Sequence, residues 1–131
     1  MADRPPRVHG IGGVFFKAQD PEALSAWYSK HLDVGGQPWG GHIFPWKRDD
    51  TGASAYSVWS PFKASTEYFK PSDKPYMINL RVDDLDAVLE ALRAEGCNVL
   101  DRREEDPQQG KFGYVLDPEG GLVELWEQPK E

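Results

Sequence analysis

A single cysteine, Cys97, stands in the whole sequence, so no intramolecular disulfide framework can hold the chain, and Cys97 itself is expected to be buried. Apolar runs are short, and none approaches the roughly 18 residues that a membrane-spanning helix needs, so the chain reads as soluble with no membrane partner. Basic residues are outnumbered: fifteen Lys and Arg against twenty-two Asp and Glu give a formal charge of -7. That balance repels phosphate backbones and anionic lipids, so nucleic acid is excluded as an expected partner. The opening MADRPPRVHG lacks the apolar stretch of a secretory signal, and a cytoplasmic location is expected. No Gly and Ser run or block of like charge divides the chain; only ADRPPR and EQPKE read as frayed ends.

What is present is a chain of 131 residues, 39% hydrophobic and with five Trp, enough for one compact core. Two independent domains are unexpected, because units much below about 70 residues seldom bury enough apolar surface to stand alone. The chain also writes one phrase twice. VFFKAQDPEALSAWY, residues 14–28, returns as INLRVDDLDAVLEAL, residues 78–92, at an offset of sixty-four positions, so duplication of one structural unit is the first reading.

Each copy reads as a strand followed by a helix. Val14, Phe16 and Ala18 alternate with Gly13, Phe15 and Lys17, and Ile78, Leu80 and Val82 alternate with Met77, Asn79 and Arg81. Asp20 followed by Pro21, and Asp83 with Asp84, mark helix starts, because a carboxylate accepts from the free N–H groups of a first turn. Leu24, Trp27, Tyr28 and Leu32, then Leu85, Val88, Leu89 and Leu92, follow at helical spacing. Three extended segments are expected after each helix, and the turns DDTGA and DPEGG correspond, which sets Tyr56 opposite Glu124. The expected fold is α+β, one domain over residues 1–131, made of two tandem βαβββ modules at about 8–69 and 76–128 joined by a linker near 70–75.

The segments FKAQDPEALSAWY, MINLRVDDLDAVLEALRAEG and FGYVLDPEGGLVELWE resemble the vicinal oxygen chelate superfamily, which holds glyoxalase I, the bleomycin-resistance proteins and the extradiol dioxygenases. The resemblance implies curved sheets enclosing a cup, and a homodimer. It also implies where a divalent metal would be held: on the first strand of each module, at positions that fall on Gly13 and Met77, and on the last strand of each, at Tyr56 or Ser57 and at Glu124. Of these, Glu124 alone is a credible ligand, and catalytic sites use three or more protein ligands. No metal and no other cofactor is therefore expected, a divalent ion being the weaker alternative. His31 and His42 are expected to be bland surface residues, and His9, four residues or about 13 Å along a strand from Gly13, is too far away to replace it as a ligand.

Glu124 alternates with Val123 and Leu125, so it is expected to enter the cup together with Leu122 and Trp126. There it either acts as an acid or base, or is fixed by an ion pair with Arg81 and orients a ligand. A pocket of Phe15, Tyr56, Met77, Asn79, Glu124 and Trp126 suits a small-molecule ligand bound in the manner of the bleomycin-resistance type. The alternatives are a glyoxalase-like lyase or isomerase, with a metal or with Glu124 as its catalytic group, and a module whose aromatic surface associates with another macromolecule.

Overall fold

The computed structural model describes residues 7–129; most of the expected N-terminal frayed end and the last two residues of the C-terminal one lie outside them, whereas Glu127 ends a strand and accepts from the Leu85 N–H at 2.8 Å. In chain order the elements are β1 (Val8–Ala18), α1 (Pro21–Leu32), β2 (His42–Lys47), β3 (Ser54–Lys63), β4 (Tyr76–Val82), α2 (Leu85–Ala94), β5 (Asn98–Asp106), β6 (Gly110–Leu116) and β7 (Leu122–Glu127). The strands form one sheet of seven in the order β2-β3-β1-β4-β7-β6-β5. The sheet curls: β2 and β4 lie three strand spacings apart, about 14 Å if flat, yet the Arg81 guanidinium of β4 is 6.0 Å from the Trp46 ring of β2.

The repeated phrase is visible as symmetry. β1 and β4 are antiparallel with Val14 opposite Ile78, and these two residues are also sixty-four positions apart. An approximate two-fold axis therefore passes between them, relating β1, α1, β2 and β3 to β4 through β7 with α2. It carries the parallel pair Phe15 and Ser60 onto the parallel pair Asn79 and Glu124.

Both helices begin where the sequence places them. Asp20 accepts from the Ala23 N–H at 3.0 Å and Asp84 from the Ala87 N–H at 3.1 Å. Asp83 takes a different part, pairing with Arg48. Leu85, Val88 and Leu89 of α2 pack on Val82 and Leu125, each fully buried side chain contributing about 1.5–3 kcal/mol. Gly113 lets α2 sit this low, since a Cβ there would lie 2.8 Å from a Leu89 methyl.

The first half departs from the expected pattern. It has two strands after its helix, not three, because Gly35, Gly36 and Gly40 take positive φ and turn the chain where a strand was expected. With less sheet beneath it, α1 buries only Ser25, and Trp27 and Leu32 of its expected apolar stripe are 52% and 55% exposed. Cys97 is exposed rather than buried, lying just beyond the turn that ends α2. The linker is anchored, with Phe69 before it and Ser72 within it both buried. No helix among the described residues is long and apolar enough to cross a membrane.

Candidate functional site

The helices cover one face of the sheet, and the other face is the concave one. Alternation along β4 and β7 sends Leu80, Val82 and Leu125 to the helices and Asn79, Glu124 and Trp126 to the concavity. A β-bulge in β1 brings Gly12 to the floor, where a Cβ would meet the Asn79 Oδ1 at 2.1 Å and Trp126 at 2.8 Å. The resulting cavity, about 400 Å³, is lined among others by Phe15, Tyr56, Asn79, Phe112, Glu124 and Trp126. A smaller lobe of about 260 Å³ shares Phe15, Phe112 and Glu124 with it and adds Tyr68, Glu104, Glu105 and Asp106.

Glu124, 2% exposed, has three side-chain donor groups within hydrogen-bond distance. Its Oε1 accepts from the Asn79 Nδ2 at 2.7 Å, and its Oε2 accepts from the Tyr68 hydroxyl at 2.6 Å and lies 2.7 Å from the Tyr114 hydroxyl. The two hydroxyls are 2.9 Å apart, and Tyr114 is also 2.6 Å from Glu104 Oε2. Burial, reinforced by the charge of Glu124, pushes both phenols well above the ordinary tyrosine range. Both therefore remain protonated donors through neutral pH. Arg102 closes this network from outside, stacking over Tyr114 and Tyr68 at 4.1 and 4.5 Å and pairing with Glu104 at 3.1 Å.

The expected ion pair between Arg81 and Glu124 is not formed. Arg81, 1% exposed, points the other way into an aromatic cage, 4.4 Å over Trp126 and 5.3 Å from Tyr56, and donates to the Tyr56 carbonyl at 2.9 Å. Burial lowers its pKa. The cage backs Trp126 with a cation and fixes the ring that walls the cup.

Of the six residues read as a pocket, five line the cavity: Phe15, Tyr56, Asn79, Glu124 and Trp126. Met77 does not, nor does Leu122 enter the cup with Glu124 and Trp126, because both are buried in a cluster with Phe69 and Tyr114. The strand register also replaces the expected partner of Glu124: the symmetry-related residue is Ser60, and Tyr56 packs instead against Trp126 with ring centroids 5.3 Å apart. Tyr68, Tyr114 and Glu104 were not foreseen as site residues. For Tyr114 a signal exists, since Phe112 and Tyr114 alternate with Gly113, which packs under α2.

The metal positions implied by the superfamily thus fall on Gly13, Met77, Ser60 and Glu124. Gly13 has no side chain, and a Cβ there would press within 2.6 Å of the Phe15 ring. Met77 lies beneath Phe69, and both oxygens of Glu124 are engaged. His42 Nδ1 accepts from the Gly35 N–H, and His9 faces Asp83 at 3.6 Å. Among the described residues no group of three or more His, Cys, Asp or Glu side chains is placed so as to hold a metal ion. This donor set does not fit a divalent metal.

Two modules joined strand to strand about a two-fold axis, each carrying its helix outside a shared cup, define a protein of the vicinal oxygen chelate superfamily. Residues 13–126 match the glyoxalase-like domain, and the chain belongs to that family. Among solved structures, methylmalonyl-CoA epimerase from Mycobacterium tuberculosis is 21% identical with a TM-score of 0.59, over 100% of this chain and 93% of that one. A Streptomyces coelicolor methylmalonyl-CoA epimerase variant in complex with 2-nitronate-propionyl-CoA is 16% identical with a TM-score of 0.64, over 94% and 99%. A structure described as NAD-dependent benzaldehyde dehydrogenase from Legionella pneumophila is 12% identical with a TM-score of 0.55, over 88% and 97%. Likeness at these identities shows the fold alone. No protein of curated function matches the sequence.

Proposed function

We propose that the protein is a metal-independent, small-molecule-binding member of the glyoxalase-like family, of the bleomycin-resistance type, with the aromatic cup as its binding site. The observation that carries this reading is the state of Glu124: a buried carboxylate between aromatic walls, held by Asn79, Tyr68 and Tyr114. Such a group is fixed in place and presents its oxygens to a ligand in one orientation. To act as a base it would first have to leave donors that hold it, which favours orientation over proton transfer. Cytoplasmic action as a homodimer belongs to the same reading, the exposed Trp27 and Leu32 of α1 supplying apolar surface for association.

A second reading has one observation in its favour: similar solved structures are methylmalonyl-CoA epimerases, whose reaction class is isomerisation. In that case Glu124 would exchange a proton with a bound carbon acid. Against a CoA ester stands the absence of any Lys, Arg or His from the lining of either lobe to meet its phosphates.

Glu124→Gln separates the readings. If Glu124 orients a ligand, the variant keeps the fold and loses roughly 1.5–3 kcal/mol of affinity for a polar or cationic compound found by thermal-shift screening. Unchanged affinity with a proton-exchange rate reduced about two to four orders of magnitude would instead assign a general base.

A further inference from the structure

We propose that the ligand is a small organic cation, an amine with a flat apolar body, whose ammonium head lies in the acidic lobe between Glu104 and Glu124 and whose body lies in the aromatic cup. The inference rests on the binding reading above and names the chemistry of what is bound.

The site is rich in acceptors and poor in donors. Four carboxylates, Glu104, Glu105, Asp106 and Glu124, line the smaller lobe, and no Lys, Arg or His lines either lobe. Of the cations close by, Arg102 pairs with Glu104 from behind the two tyrosines, and Arg81 is folded behind Trp126. Glu105 stands opposite Lys111 in the β5–β6 register with Arg103 also near it, on the strand face away from Glu104, so Glu104 and Glu124 are the carboxylates that face the head group. Asp106 is partly engaged, accepting from the Gln108 N–H at 2.7 Å within its own turn.

An independent sign of a missing donor lies in the floor of the cup. Asn79 is 1% exposed and lines the cavity, and its Oδ1 has no hydrogen-bond partner. Only a glycine at position 12 leaves room for that oxygen, so the position is built rather than incidental. The phenol network is short of protons in the same sense. The Tyr68 and Tyr114 hydroxyls carry two protons across four oxygen–oxygen contacts of 2.6–2.9 Å, so Tyr114 can satisfy only one of its three neighbours. An ammonium group brings three donors and a positive charge. Its apolar body meets Phe112 stacked on Trp126 at 5.6 Å and the edge-on pair Phe15 and Phe62. A carboxylate or phosphate ligand would meet acceptors alone.

The test uses three probes of one shape, naphthylmethylamine, naphthylmethanol and naphthoate, titrated into the intact protein while the amide and indole N–H signals of Tyr56, Asn79 and Trp126 are followed by NMR. The amine is expected to bind at least about tenfold more tightly than the alcohol, the scale of one charge-assisted hydrogen bond, and the naphthoate more weakly than either. The ratio of amine to alcohol affinity is expected to fall several-fold in Glu104→Gln and in Glu124→Gln, and at high salt. Equal binding of amine and alcohol in the cup, or tighter binding of naphthoate, would overturn the cation assignment and leave the cup as a binding site. An undiminished ratio in both variants would overturn the placement of the head in the acidic lobe. Absence of binding by all three probes would overturn the assignment together with the reading it rests on.

Discussion

The hydroxyl of Tyr114 lies 2.7 Å from Glu124 and 2.6 Å from Glu104, joining a carboxylate at the floor of the cup to one that reaches solvent. Removing that hydroxyl leaves Glu124 with Asn79 and Tyr68 and leaves Glu104 with Arg102. Tyr114→Phe is expected to lower stability by roughly 1–3 kcal/mol, the cost of a lost bond to a buried charged acceptor. Urea unfolding checks this, and a change below about 0.5 kcal/mol would mean that the short contact carries no stabilising proton.

Alkaline pH tests the same network. Tyr68 and Tyr114 have pKa values raised in the folded state, above the unfolded value of about 10. Their contribution is fully present below pH about 10 and is lost as pH rises toward their folded values, because the unfolded chain then releases two protons that the fold retains. Stability should fall above that pH, and ultraviolet titration should show these two phenols ionising only with unfolding. The double variant Tyr68→Phe, Tyr114→Phe should flatten the alkaline slope.

Much of this was legible in the sequence, and the errors have physical causes. The offset of sixty-four positions identifies the modules and holds through the strands that build the floor: it pairs Val14 with Ile78, Phe15 with Asn79, and Ser60 with Glu124. Matching the turns DDTGA and DPEGG instead put Tyr56 opposite Glu124. That match fails because β3 runs ten residues and β7 six, which displaces the first turn. Strand parity brings Met77 to the cup side with Asn79, but the covering ring of Phe69 comes from a segment whose path no periodicity records. Tyr68 escapes for the same reason.

Packing of the second helix rests on the contact between Leu89 and Gly113. Leu89→Ala should cost about 2–5 kcal/mol, as a large-to-small change in a closed core. Gly113→Ala should cost about 1–3 kcal/mol by overpacking against Leu85 and Leu89. Thermal unfolding of both variants checks the pair, and a neutral Gly113→Ala would contradict the close seating of α2.

Metal independence predicts that chelator leaves the melting temperature unchanged and that purified protein holds well below one equivalent of any transition metal, as the donor set at Gly13, Met77, Ser60 and Glu124 requires. Stoichiometric zinc, nickel, iron or manganese measured by elemental analysis would contradict it.

The most direct measurement is a crystal structure of the protein with a compound selected by thermal-shift screening. Binding in the cup predicts ligand density against Phe112 and Trp126, with a polar atom within hydrogen-bond distance of Glu124 or of the Asn79 Oδ1, and no metal ion between ligand and protein. Density seated elsewhere, or a metal ion bridging Glu124 to the compound, would contradict the proposal that a metal-free aromatic cup is the site at which this protein works.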